Sequence, residues 1–377
     1  MKNKIYIFYH GRFPCEKAAS LFTAKNAESF AKLGYEVEVI VPKRKSVTDN
    51  TFTYHNVEEN FKVTYLDCID LINFKPAMAI GFKISHLSFS LALRKYLKTR
   101  VSKKDILYSN ETISYIFVPK TEIMCYELRD FPEKNFWFYR RVFNKVSHIL
   151  VTNKWKEEAL HKKFPITKVK TFVELNAVDV AEFNISLSKE EARAELGIPV
   201  DKKIILYTGH LYAWKGVENL IRATEYLDKD FVVYIVGGTE KDIQTFKEAY
   251  SSKSSLRIVG YRPHAQMPLW QKAADVLVIP NTAKEKISKY YTSPMKLFEY
   301  LMSKRPIIAS DLPSIREIAK EADIIYFEAD NPKNLSEAIE KALARNLGID
   351  YKKNEEIINV HSWSKRAERI LKNIKHE

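Results

Sequence analysis

Short, nearly continuous apolar runs alternate with helix-length amphipathic segments along the whole chain, a pattern that few folds accept. In the first half the runs are Lys4–Tyr9, Glu36–Val41, Lys62–Leu66, Asp105–Ser109, Glu122–Glu127, His148–Thr152 and Val169–Val173. In the second half they are Lys203–Thr208, Phe231–Val236, Leu256–Val259, Asp275–Ile279, Pro306–Ala309 and Ile324–Phe327. Helical spacing marks Lys17–Leu33, Trp155–Lys163, Val217–Leu227, Pro294–Ser303 and Leu335–Ala344. A strand buried on both faces reads as an unbroken apolar run, so strand–helix alternation of this kind requires parallel sheets covered by helices. The 377 residues suffice for two such domains. A boundary falls near Asn176-Ala-Val-Asp179, before a polar connector, Phe183–Ser188, and a helix, Lys189–Leu196, that Gly197 stops. The expectation is an α/β chain of two doubly wound, Rossmann-like domains, residues 1–176 and 177–362, facing a cleft. Ligands then belong at the carboxyl ends of the strands. The last segment, 363–377, carries an amphipathic helix whose periodicity leaves open which domain it packs on.

Charge is unevenly placed. The net is +14, and residues 1–176 hold 30 Lys and Arg against 18 Asp and Glu, whereas residues 177–377 are nearly balanced at 31 against 29. The basic half favours an anionic partner, such as a phosphate-bearing acceptor or lipid headgroups. Nucleic acid is disfavoured, because the basic residues are dispersed and no nucleic-acid-binding motif accompanies them. Cys15, Cys68 and Cys125 are too few and scattered for a disulfide framework or zinc site, and read as buried thiols in a reducing compartment. The first apolar run is too short for a signal-peptide core, and no stretch has the roughly 18 apolar residues of a membrane span. The expectation is a cytoplasmic protein at the inner face of the cell membrane.

Two segments carry chemistry. In Tyr207-Thr-Gly-His-Leu-Tyr-Ala-Trp-Lys-Gly216 an apolar strand runs into Gly209 and His210, and Lys215-Gly216 opens an amphipathic helix. Glycine permits close backbone approach, a helix start offers free N–H groups, and lysine supplies a point charge, which together suit a diphosphate. It is not a Walker loop, because the glycine-rich run is missing. In Tyr290-Tyr-Thr-Ser-Pro-Met-Lys-Leu-Phe-Glu-Tyr300, Thr292 or Ser293 is the expected N-cap and Pro294 the first helical residue. Lys296 in that first turn opposes the helix dipole, so helix stability does not account for it. Glu299, one turn after Met295 and Lys296, is placed to accept a pair of sugar hydroxyls. No G-x-G-x-x-G follows a strand, which speaks against a dinucleotide oxidoreductase.

These residues together resemble the retaining GT-B glycosyltransferases of family 4. Further segments join the likeness: Val259-Gly-Tyr-Arg-Pro-His264 with Met267–Pro280, Pro306–Leu312, Glu174–Asp179, and His361-Ser-Trp363 with Arg366 and Ala367. The resemblance implies that Lys215 neutralises donor phosphates and that Glu299 holds the ribose. It implies that Tyr261 and Arg262 flank the base, and that the backbone of Thr292–Lys296 cradles diphosphate and sugar. Gly11, within His10-Gly11-Arg12, lies in a loop that approaches the donor, and the last helix crosses back to the first domain. The chain departs from the family where Tyr291 replaces a sugar-contacting Glu, and where Tyr126-Glu-Leu-Arg-Asp130 has Arg129 in place of His. Arg cannot act as an acid or base at pH 7 but does bind phosphate or carboxylate. Asp130 or Glu127 is left to assist the acceptor.

The implied reaction is retaining sugar transfer from a nucleoside diphosphate sugar, with UDP expected, to a lipid-linked or cell-surface glycan. No cofactor is expected beyond the nucleotide-sugar co-substrate. No metal is expected either, because no Asp-x-Asp follows a strand and Asp67 and Asp70 are wrongly spaced. Phe131–Lys145 and Ala77–Lys98 mix aromatic or aliphatic side chains with basic ones, as peripheral membrane helices do. The competing readings are a nucleotide-sugar epimerase or phosphorylase on the same fold, or a non-catalytic binding protein.

Overall fold

The computed structural model describes residues 4–375 except 45, 46, 48, 73–77, 135, 165–168, 229, 321 and 345–347. The chain divides into two units. The first comprises residues up to Glu174 together with the C-terminal stretch from Trp363, and the second runs from Leu175 to Ser362.

In the first unit, seven parallel strands are β1 (Lys4–Phe8), β2 (Glu36–Pro42), β3 (Lys62–Leu66), β4 (Ile106–Ser109), β5 (Ile123–Leu128), β6 (His148–Val151) and β7 (Lys170–Val173). Their order is β3-β2-β1-β4-β5-β6-β7, so the direction of winding reverses between β1 and β4. Ile5, Ile7, Val39, Ile106 and Leu150 project from the strands into one buried cluster with Ala24, Ala27 and Phe30 of the helix Ala18–Lys32. The helix Trp363–Lys375 adds Ala367, Ile370, Leu371 and Ile374 to the same cluster. Its Arg366 is wholly buried, 2.9 Å from Glu127 on β5 and 2.8 Å from Asn26, with its guanidinium over the Phe22 ring. A charge that deep persists only when paired and hydrogen-bonded.

The second unit has six parallel strands: β8 (Lys203–Thr208), β9 (Phe231–Val236), β10 (Leu256–Gly260), β11 (Val276–Ile279), β12 (Ile307–Ser310) and β13 (Ile325–Phe327). The order β10-β9-β8-β11-β12-β13 puts its reversal between β8 and β11. The helix Lys189–Leu196 starts at a Ser188 capping box and ends at a left-handed Gly197, as its sequence pattern predicts. The run expected as one helix over Val217–Leu227 is an α-helix only to Ala223 and then a 3₁₀ turn, Thr224–Tyr226. The Thr224 hydroxyl donates back to the Ile221 carbonyl at 2.6 Å and competes with the next helical turn. Among the described residues, no helix is long and apolar enough to cross a membrane.

Candidate nucleotide site on the second unit

The site grows from the reversal point of the second sheet, between the neighbouring strands β8 and β11, the place where open α/β sheets take ligands at the carboxyl ends of their strands. β8 is followed by Gly209, whose backbone has φ +123°, a conformation that residues other than glycine rarely adopt. From there the loop turns through His210 to a 3₁₀ turn, Ala213–Lys215, and Gly216 at φ +65° then caps the helix Val217–Ala223. Lys215 therefore stands before that helix, on the turn that leads into it. A Cβ on Gly216 would collide with the Pro280 carbonyl at the end of β11. The Thr282 N–H reaches the Trp214 carbonyl at 3.3 Å, which ties the loop to the end of β11.

The second helix start is brought to the same place. The Tyr300 hydroxyl accepts from the Thr208 N–H at 2.9 Å, anchoring the helix Met295–Met302 to the residue before Gly209. Lys296 then lies with Nζ 3.7 Å from the centre of the Tyr207 ring. A Cβ placed on Gly209 would be 3.4 Å from that same Nζ. Lys296 is buried, and its Nζ has no hydrogen-bond partner among the described residues. Burial, helped by the charge of Lys215, holds its pKa well below that of an ordinary lysine, with Glu299 pulling the other way. Burial alone brings Lys215, whose Nζ lies over the Trp214 ring at 3.9 Å, down to about 7. Two buried lysines close enough for the charge of one to disfavour that of the other make a place suited to an anion.

Other polar atoms here lack protein partners. Both polar atoms of the wholly buried Asn281 side chain, just beyond β11, have no hydrogen bond among the described residues. The same holds for Ser293 Oγ. Buried polar groups are normally satisfied, so such orphans call for a ligand or water. Asn176 Nδ2 donates to the Ser293 carbonyl at 2.5 Å and holds the segment before the helix.

One expectation needs correction. Neither Thr292 nor Ser293 caps the helix: Pro294 is the N-cap residue, with ψ 115°, no side chain caps it, and the helix begins at Met295. The residue before a proline is pushed to extended geometry, and here the proline is itself extended, so the start moves on by one residue. Before it, Ile287–Tyr291 forms a turn of π-helix, held by the Thr292 N–H to the Ile287 carbonyl at 2.8 Å and by Ser314 Oγ to the Ser288 carbonyl at 2.6 Å. Tyr291, where the resemblance wants a Glu, is buried at the end of this turn.

Glu299 is buried, and its Oε1 lies 3.0 Å from His264 Nε2. Tyr261 and Arg262, on the turn after β10, are exposed, and Arg262 donates to the Tyr261 carbonyl at 2.9 Å. The His210 ring stacks on Tyr212, and its carbonyl accepts from the Tyr207 hydroxyl at 2.7 Å.

The remaining candidates belong to the first unit, at the carboxyl ends of its strands. Gly11 follows β1, where a Cβ would collide with the Tyr9 ring. Asp130 is exposed. Arg129 stacks over Phe22 at 4.0 Å and lies 3.4 Å from Glu127. Glu127 is wholly buried and accepts from Arg366 and, at 2.7 Å, from the Tyr108 hydroxyl. That commitment removes it as an acceptor base. Cys68 is partly exposed, unlike the buried Cys15 and Cys125, and all three thiols are free. Among the described residues, no group of three or more His, Cys, Asp or Glu is placed to hold a metal. Sequence reasoning missed Asn281, Tyr300 and the burial of Lys296, because each depends on a neighbour far along the chain.

Comparison with known proteins gives a consistent result. The family described as Glycosyl transferases group 1 matches residues 188–361. An uncharacterized glycosyltransferase of Methanocaldococcus jannaschii is 27% identical over 381 residues, covering 92% of this chain and 90% of its own. Sucrose-phosphate synthase from Thermosynechococcus elongatus superposes with a TM-score of 0.77 at 16% identity, covering 98% of each chain. Anabaena HepE in complex with UDP and glucose superposes with a TM-score of 0.72 at 14% identity, also covering 98% of each. At these identities the structural likeness concerns the fold, the pair of Rossmann-like domains called GT-B.

Proposed function

We propose that the chain is a group 1 glycosyltransferase that transfers a sugar from a UDP-sugar to a lipid-linked or cell-surface glycan, retaining the anomeric configuration and needing no metal. The carrying observation is the pair Lys215 and Lys296 at the β8/β11 reversal point, both with depressed proton affinity and Lys296 beside Gly209. Departure of the nucleoside diphosphate builds negative charge on its β-phosphate. Lys215, Lys296 and the N–H groups at the start of Met295–Met302 meet that charge with groups already in place, which lowers the barrier most when water is excluded. The choice of UDP is favoured by the UDP bound in the Anabaena relative of the same fold. A panel of UDP-, GDP- and ADP-sugars tests the donor: a UDP-sugar should raise Tm by several degrees through mass action. No shift with any of them, or a rate of transfer abolished by a chelator, counts against the reading.

Membrane contact is supported by the first unit's surface. The helix Met78–Lys98 leaves Met78, Ile80, Phe82, Ile84, Leu87 and Leu91 exposed, and Phe136–Phe143 leaves Phe136, Trp137 and Phe138 exposed. Ala77 lies outside the described residues. Arg141 stands over Trp137 at 4.8 Å. Lys145 does not belong to the basic rim: its Nζ donates to the carbonyls of Ile116 and Val118. Its pKa is lowered to about 8 by burial and by the charges of Arg94 and Lys120. Apolar side chains beside basic ones bind anionic bilayers by burial and charge together. The protein should float with vesicles rich in anionic lipid at low salt, and Trp137→Glu should abolish this; equal flotation with neutral vesicles argues against it.

A further inference from the structure

His264 lies on the turn after β10 and makes contacts that diphosphate binding does not require. Its Nε2 is 3.0 Å from Glu299 Oε1, and its Nδ1 is 3.6 Å from Glu182 Oε1. Glu182 comes from the short helix Val180–Phe183 that begins the second unit, and Phe183 packs against the His264 ring at 5.4 Å. On its other oxygen, Glu299 accepts from Gln271 Nε2 at 3.4 Å. Both carboxylates are buried. Each carboxylate oxygen has two lone pairs. Once His264 and Gln271 have each taken one, one is left on each oxygen of Glu299.

We propose that His264 is a positioning residue for the donor nucleotide: held as an imidazolium between Glu182 and Glu299, it fixes Glu299 so that its two remaining lone pairs accept the vicinal ribose hydroxyls. This rests on the reading of the β8/β11 reversal point as the donor site. A neutral imidazole has one N–H and would turn its other nitrogen's lone pair toward a carboxylate, so the charge on the ring decides whether both contacts hold. The charged groups around it are Glu182 from the connector helix and Glu299 from Met295–Met302, with Lys296 acting on Glu299 from the phosphate side. Gln271 is neutral, and Arg262 on the same turn donates to the Tyr261 carbonyl. Burial alone would lower the His264 pKa, but pairing with Glu182 and the hydrogen bond to Glu299 overcome this and push it up to about 9. The imidazolium therefore persists at neutral pH and is lost as pH rises through about 9, and ribose-dependent affinity goes with it.

The test is calorimetric titration, from about pH 6.5 to 10 to span the histidine range, of the tightest of UDP, GDP and ADP and of its 2′,3′-dideoxy form. The proteins are the full chain, Glu182→Gln and His264→Gln. The preference of the full chain for the ribonucleotide over its dideoxy form should fall about tenfold at the alkaline end, the worth of a charge-assisted hydrogen bond. In Glu182→Gln the fall should come at a pH lower by about one unit or more, because one counter-charge is gone. Ionisation of the base, the diphosphate and the two lysines is common to both ligands and cancels in the comparison. In His264→Gln, which keeps an N–H for Glu299, that preference should not fall with pH, and in every protein the dideoxy form should bind more weakly than the ribonucleotide at neutral pH. An unchanged midpoint in Glu182→Gln, or a preference in the full chain that does not change with pH, overturns the proposal. Should Glu182→Gln fail to fold, persistence of the fall in His264→Gln overturns it instead. No binding of any diphosphate to the full chain at neutral pH removes the donor-site reading beneath it.

Discussion

Lys215→Ala is expected to lower kcat/KM for sugar transfer by about 10²–10³-fold, the usual cost of losing one preorganised group that faces charge developing on a leaving group. The loss should appear in kcat more than in KM, because that charge is greatest in the transition state. The neighbouring lysine sets how large the loss can be. Lys215 depresses the proton affinity of Lys296 by like-charge repulsion, added to burial. Removing Lys215 therefore lets Lys296 hold its proton more readily and recover part of the stabilisation. The double substitution Lys215→Ala with Lys296→Met should then cost more than the sum of the single losses. Single-turnover rates on the identified donor decide the matter, and an unchanged rate for Lys215→Ala contradicts the assignment.

Arg366→Met is expected to destabilise the protein by about 3–5 kcal/mol, because it leaves the Glu127 carboxylate buried with its best partner gone. Arg366 and Glu127 are both wholly buried and 2.9 Å apart. What remains to Glu127 is the Tyr108 hydroxyl at 2.7 Å and Arg129 at 3.4 Å. For a unit of this size the change amounts to roughly 6–20 °C in Tm. Adding Glu127→Gln should recover much of it, since the uncompensated charge is then absent. Equal Tm values for Arg366→Met and the unaltered protein would mean that the last helix contributes little to the first unit.

The strands were legible because their apolar runs are long and sharply bounded. All thirteen form where the runs lie, with ends shifted by only a residue or so: the run Asp105–Ser109 becomes Ile106–Ser109, with Asp105 instead accepting from the Lys4 and Ser102 N–H groups. The reversal point of the second sheet is less visible, because strand order is not written in any one strand. The loop from Gly209 to Gly216 stands out in the sequence through its residue types, and Lys296 through its conflict with the helix dipole. The helix start at Met295 was misplaced because Thr-Ser-Pro fits the local rule for a cap, while the chain before it is held by a π-turn and by Asn176. Arg366 with Glu127, and Glu182 with His264 and Glu299, escaped notice for a different reason. They are pairs of charges from distant segments, each ordinary in its own neighbourhood, whose meaning arises only when folding strips water from both.

The central claim is that Lys215 and Lys296 form the seat of a diphosphate, and proton uptake on binding tests it most directly. With its pKa near 7, Lys215 is mostly neutral at about pH 8, and burial together with the charge of Lys215 holds the Lys296 pKa well below that of an ordinary lysine. A bound diphosphate brings negative charge beside both and raises their proton affinity, so binding must draw protons from the buffer. Titration of UDP at that pH, in two buffers of different ionisation enthalpy, should show net uptake for the unaltered protein and markedly less for Lys296→Met. Binding with no uptake, or uptake that Lys296→Met leaves unchanged, would place the diphosphate elsewhere.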